Sequence, residues 1–288
     1  MKFFTLLLAV QLGASLFVSG QDKASASYFR VGFQSSMVPV TDFTATDSLK
    51  LQLFIAPQLS YIHKSGLEII ARTYFLIGHV FGNFLTIVSP GYEKNNDKLY
   101  TELSYTHFFY RSNTGIPYSP IKNEFYGNIR LKKKILQPLL TLNAGWGKDS
   151  AAASVFDLNI LAGIAHEFSW EINATSDISL LPAIILNAGT NSYFSLLRGS
   201  PYVGSSKNYN AVIHSQNNGR GRGNSGSGST GSSAATANSF AFSQLEGNLY
   251  IYYSIGKITI EPDASFFIPL RSGNRVTGYF QVTANFKL

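Results

Sequence analysis

The chain closes on Val276-Thr277-Gly278-Tyr279-Phe280-Gln281-Val282-Thr283-Ala284-Asn285-Phe286-Lys287-Leu288. Side chains of an extended strand alternate between its two faces. Val276, Gly278, Phe280, Val282, Ala284, Phe286 and Leu288 therefore share one face, and Thr277, Tyr279, Gln281, Thr283, Asn285 and Lys287 share the other. The first set is apolar or small, the second polar or amphipathic, and the alternation has no break. A strand of this kind needs a greasy medium on one side and a polar one on the other. Both a soluble sandwich and the wall of a barrel between lipid and a polar interior supply that.

The other end of the chain narrows where such a strand sits. Lys2 supplies a positive start, Phe3 to Val10 a largely apolar run, and Val18, Ser19 and Gly20 a small-residue cleavage site before Gln21. These are the parts of a secretory signal, so residues 1–20 are expected to be removed and residues 21–288 to form the mature chain. Gln11 and Gly13 interrupt the apolar run, which is too short for the roughly 18 to 20 residues of a spanning helix. An exported chain without such a helix is periplasmic, extracellular, or a barrel in an outer membrane.

Cysteine is absent. Disulfides, thiol nucleophiles and thiolate metal sites are thereby excluded, and stability must come from packing and hydrogen bonds. The formal charge is +7, or +6 once Lys2 is lost with the signal. Such an excess suits anionic lipid head groups or an anion-leaning pore, and equally a soluble surface that happens to be basic. Charged residues make up only 14% of the chain, while 16 Tyr and 22 Phe supply most of its aromatics. That balance fits strands facing lipid on one side, with aromatic residues girdling both membrane interfaces.

Alternation recurs along the chain. It predicts strands at Tyr28–Gln34, Leu51–Tyr61, Leu67–Ile77, Leu99–Tyr110, Ile121–Lys132, Leu136–Trp146, Val155–Trp170, Gln244–Tyr253, Ile258–Ile268 and Val276–Leu288. Two further strands do not rest on alternation. Phe81–Tyr92 carries apolar residues on both parities. Ile178–Asn187 is nearly all apolar, so that periodicity alone does not separate strand from short helix, and the absence of a helical polar face with the flanking Asn and Gly residues favours strand. Short turns are expected at Lys64–Gly66, Glu93–Asp97, Lys132–Lys134, Trp170–Ser176 and Ser254–Lys257. Longer connections are expected at Pro39–Ser48, Arg111–Pro120 and Gly189–Ser239, with a short one at Arg271–Asn274. Within the longest, Gly219–Ser233 is mostly Gly and Ser, a composition that cannot bury a core.

Twelve strands return both termini to one side, with the short turns on that side and the long connections on the other. The fold expected is an all-β, antiparallel, up-and-down transmembrane barrel with both termini in the periplasm and the long loop outside. In its signal peptide, amphipathic hairpins and terminal strand the chain resembles outer-membrane β-barrel proteins of Gram-negative bacteria, particularly small barrels of the Bacteroidetes type of envelope. Many relatives of that kind end in an aromatic residue, whereas here Leu288 is last and Phe286 lies two before it. The resemblance implies outer-membrane lipids, lipopolysaccharide and the barrel-assembly machinery as partners.

By parity Arg30, Glu68, Arg72, Glu102, Lys122, Glu124, Arg130, Lys132, Asp157, Glu246, Glu261 and Asp263 point inward. Unpaired charges in a dry interior cost several kcal/mol each, so these must be wet or paired. A twelve-stranded barrel lies between the roughly eight-stranded kind filled by side chains and the roughly 16-stranded kind with an open channel. The leading expectation is a passive, narrow channel or uptake component for small solutes, without catalysis.

A first alternative is a non-conducting structural or interaction barrel, whose extracellular Arg198, Lys207, Arg220 and Arg222 meet lipopolysaccharide or a protein. A second is a lipid-modifying enzyme resembling the barrel phospholipases, which use Ser, His and Asn on the lipid-facing wall. His107 and His166 do fall on predicted lipid faces, but Ser104 has the opposite parity; a place in an aromatic belt accounts for both histidines. The five histidines show no paired ligand spacing, so neither metal nor cofactor is expected. The Arg220 and Arg222 run is read as a mobile loop rather than a nucleic-acid contact.

Overall fold

A computed structural model describes residues 27–41, 49–77, 82–110, 121–133, 135–148, 154–190, 240–270 and 276–288. The expected signal segment, most of the Pro39–Ser48 connection, the Arg111–Pro120 and Arg271–Asn274 connections, and nearly all of Gly189–Ser239 lie outside them. The strands are β1 (Tyr28–Thr41), β2 (Leu49–Ile62), β3 (Leu67–Ile77), β4 (Gly82–Asn95), β5 (Leu99–Tyr110), β6 (Ile121–Leu131), β7 (Gln137–Lys148), β8 (Ser154–Ala165), β9 (Phe168–Asn173), β10 (Ser176–Gly189), β11 (Ala241–Ile255), β12 (Ile258–Pro269) and β13 (Thr277–Lys287). Every pairing is antiparallel with a sequence neighbour, except that β13 returns to β1 and β10 reaches past β9 to β8.

Thirteen strands build twelve staves, because β8 and β9 form one. Ala183 of β10 opposes Ala165 of β8, and Leu180 opposes Phe168 of β9 in the same register. The break falls at His166 and Glu167, where Pro182 stands opposite. Proline has no N–H to give to a ladder, although its carbonyl still accepts from the His166 N–H at 3.1 Å. The expected strand at Val155–Trp170 thus forms and runs on to Asn173, and the turn expected from Trp170 shrinks to Ala174 and Thr175. Asn173 caps that turn, its Oδ1 accepting from the Thr175 N–H and hydroxyl, each at 3.0 Å.

The turn expected at Glu93–Asp97 likewise starts later. β4 continues to Asn95, and Asn96 Oδ1 then accepts from the N–H groups of Lys98 and Leu99 at 3.0 and 2.8 Å, a side chain standing in for a backbone turn. At the first hairpin Gly66 has φ +91°, a conformation that costs glycine little and other residues more. These turns lie at the end where Leu288 donates its N–H to Phe29 O. Both described chain ends and the short turns therefore share one rim, here called the turn rim, and the longer connections leave from the opposite rim.

Apart from β9 the strands have 11 to 15 residues, enough for the 9 to 11 that a tilted strand needs to cross a bilayer. Outward-facing Phe29, Val31, Phe33, Ile69, Leu103, Phe125, Ile129, Leu140, Phe156, Ile184, Phe266, Phe280 and Phe286 are all exposed. A soluble monomer does not expose a continuous apolar band of this extent.

Aromatic groups bound the band. Toward the turn rim Phe29 packs on Tyr61, and Phe168 stacks on Trp170. Toward the other rim Tyr105 packs on Trp146, and His107 meets Phe109 edge-on. His107 and His166 sit within these groups, His166 against Phe168 at 4.3 Å between ring centroids.

Candidate functional site: the polar lumen

The inward face begins with period-two alternation and ends as a hydrogen-bonded lining. Arg30, Glu68, Arg72, Glu102, Glu124, Arg130, Asp157, Glu246, Glu261 and Asp263 all stand on it and are buried. Two of the expected inward charges are placed elsewhere. A register shift between Ile121 and Asn123 inserts one extra position into β6. Ile121 consequently turns inward and Lys122 outward, where it is exposed, because a bulge reverses side-chain parity on its far side. Lys132 lies one residue past the end of β6, its N–H donating to Lys98 O, and is only half-buried.

Arg198, Lys207, Arg220 and Arg222 lie outside the described residues.

The lining is continuous over six adjacent strands. Arg72 on β3 donates from Nε to Gln58 Oε1 at 2.9 Å and from Nη1 to Gln34 Oε1 at 2.7 Å. Gln58 donates onward to Asn285 Oδ1 at 2.7 Å, and Gln34 to Gln281. Asn285 then donates to Glu261 at 3.1 Å and Gln281 to Asp263 at 3.0 Å. Asn248 on β11 donates to both Asp263 and Ser265 at 2.7 Å, and the Ser265 hydroxyl donates to Glu246 at 3.3 Å. The chain of amides thus runs from a guanidinium to three carboxylates across the seam where β13 meets β1.

Parity places Gln34, Gln58, Asn248, Gln281 and Asn285 inward with the charges; what parity does not give is that these amides carry the connection between the charges.

A second group occupies β5 and β6. Tyr100 donates its hydroxyl to Glu102 at 3.0 Å, and Arg130 lies over the Tyr100 ring, 5.4 Å from its centroid. Arg130 also pairs with Glu167 at 3.2 Å and donates to Gln137 at 3.1 Å. Between these polar sectors an apolar inner cluster of Leu161, Ala165, Ala183 and Ile185 covers β8 and β10. Of the buried ionisable side chains on the described inner face, seven are carboxylates and three are guanidinium groups. Among these described buried groups the balance is acidic, opposite in sign to the formal charge of the chain, +7.

On the outer wall His107 Nδ1 lies 2.8 Å from Asn123 Oδ1, which also accepts from the Tyr105 hydroxyl at 2.7 Å. Ser104 is buried on the opposite face, as its parity requires. The outward neighbours two residues to either side of His107 are Tyr105 and Phe109, so no serine hydroxyl lies beside it on its own strand. No group of acidic and histidine side chains suited to a metal ion occurs among the described residues.

No family model matches the chain, and no curated protein matches it. In fold it is similar to solved outer-membrane β-barrels. These include the porin NanC, at 11% identity over 90% of this chain and all of that one, with a TM-score of 0.43. The translocator domain of the autotransporter NalP from Neisseria meningitidis is similar at 8% identity over 99% of this chain and 96% of its own, with a TM-score of 0.38. OmpT, an outer-membrane protein of Vibrio cholerae, is similar at 5% identity over 92% of this chain and all of that one, with a TM-score of 0.26. Against the expectation of a chain without catalysis, OmpT barrels stand among these structures.

Proposed function

We propose that the chain is an integral outer-membrane barrel that gives small cationic solutes a narrow path across the membrane. The observation that carries this reading is the acidic balance of the inner wall, seven buried carboxylates against three guanidinium groups among the described residues. A low-dielectric wall lined by one sign of charge concentrates counter-ions and excludes co-ions. The low exposure of these side chains supports a constricted path with small conductance over a wide aqueous pore. Lipid contact is supported by the apolar band and by Lys257, exposed at the turn rim with its Nζ 6.0 Å from the Phe286 ring centroid. This is where a cation snorkels toward anionic head groups.

Planar-bilayer recording of the purified mature barrel under a KCl gradient tests the reading. The expected result is a small conductance with a reversal potential on the cation-selective side, moving toward zero in the E246Q/E261Q/D263N variant. A barrel that is intact by heat-modifiable mobility and shows no conductance above background would overturn it, and so would anion preference.

A further inference from the structure

We infer that the lumen holds an oxyanion-binding site at the turn rim, formed by Arg30, Lys287 and Ser60. The three residues occupy one row across the closing seam: Lys287 of β13 opposes Arg30 of β1, and Arg30 opposes Ser60 of β2. All three have inward parity. Arg30 is 6% exposed and Ser60 1%. Nε and Nη2 of Arg30 and Oγ of Ser60 are buried without a hydrogen-bond partner. Lys287 is half-buried, with its Nζ 4.1 Å from the Tyr28 ring centroid.

This row departs from what surrounds it. One row further into the barrel, Gln58 and Asn285 satisfy each other across Gly32. At the rim, two cations instead stand directly opposite one another, an arrangement that repels and destabilises a strand pair. A buried guanidinium with unused donors is costly unless an acceptor comes to it. Glu261, the carboxylate closest along β12, already accepts from Asn285, Tyr250 and Thr259.

A single oxyanion between the two cations would remove the repulsion and engage the planar donor edge of Arg30. It would also accept the Ser60 hydroxyl. Two positive charges and three or more donors suit phosphate or carboxylate, with guanidinium supplying the paired geometry that both prefer. Because the row faces inward at the turn rim, the ligand reaches it from the water at that rim and is a solute, not a lipid head group.

The inference does not depend on conduction, and its test reads binding alone. The mature barrel in detergent is titrated calorimetrically with inorganic phosphate and, separately, with acetate, both at ionic strength matched with sodium chloride. Saturable binding of one or both is expected, and the stronger of the two identifies the class. R30M is expected to weaken binding by about tenfold or more, and S60A and K287Q by less. Should R30M fail to fold, S60A and K287Q carry the comparison. Absence of saturable binding to the folded wild-type barrel would overturn the site, as would equal affinity in wild type and all the folded variants.

Discussion

Replacing Gly32 with valine is expected to lower the unfolding free energy of the barrel by about 3 kcal/mol, because two buried amides lose each other at once. Gly32 lies in β1 between Gln58 of β2 and Asn285 of β13. The amide bridge between these residues passes over it at 2.7 Å. A Cβ at position 32 would lie 2.2 Å from Asn285 Oδ1 and 2.8 Å from Gln58 Nε2, well inside contact distance. The bridge must therefore open, leaving a donor and an acceptor facing the side chain that displaced them. The loss propagates, since Gln58 also receives Arg72 and Asn285 also donates to Glu261.

Alanine should produce most of the effect, because the clash begins at the Cβ. Urea unfolding of the refolded barrel in detergent, followed by heat-modifiable mobility, measures it. A loss under about 0.5 kcal/mol for both variants would show that Gln58 and Asn285 rearrange freely and that the seam does not rely on their bridge.

The second large effect concerns Arg72. The residue is 1% exposed and its guanidinium serves both branches of the lining, reaching Gln58 through Nε and Nη2 and Gln34 through Nη1. R72M keeps an unbranched stem and removes every donor. Breaking a buried charged network from one side typically costs about 3 to 5 kcal/mol when water cannot replace the lost group, and about 1 kcal/mol when it can. The variant thus also reports on how wet the lumen is. The expected result is a loss of about 3 kcal/mol in the urea experiment, with a smaller loss for R72K, which keeps the charge but not the fork of donors. A double-mutant cycle of R72M with Q58L should give a coupling of at least about 1 kcal/mol; additivity would mean that the two side chains act independently.

How much of this was legible beforehand depended on the length scale of the signal. Period-two alternation is a property of a few consecutive residues, so the inward placement of Glu68, Glu102, Asp157, Glu246 and Asp263 follows from the order of side chains along each strand. The neighbours at the seam follow from the topology: closing an up-and-down barrel puts the terminal strand between Ile258–Ile268 and Phe29–Phe33, and both lie beside it. Turn positions were less legible. Asn96 and Asn173 end their hairpins through side-chain acceptors, and each flanking strand extends past the last residue whose polarity suggested a strand. Lys122 was misplaced because a bulge inserts one position without marking it in the hydrophobic pattern, Phe125 and Ile129 beyond it keeping perfect alternation.

The sequence by itself determined which side of the wall most side chains occupy, since alternating polarity leaves a strand between lipid and a polar interior only one orientation that does not bury charge in hydrocarbon. Only the tertiary structure decided which inward groups meet. Gln34 and Gln281 are 247 residues apart and bonded, and Lys287, Arg30 and Ser60 share a row although none is close to another in the chain. Those meetings are set by the register at which the first and last strands lock when the barrel closes. That register is a property of all twelve staves together: the turns and bulges of every hairpin add to the offset between β13 and β1, and no local stretch of sequence contains their sum.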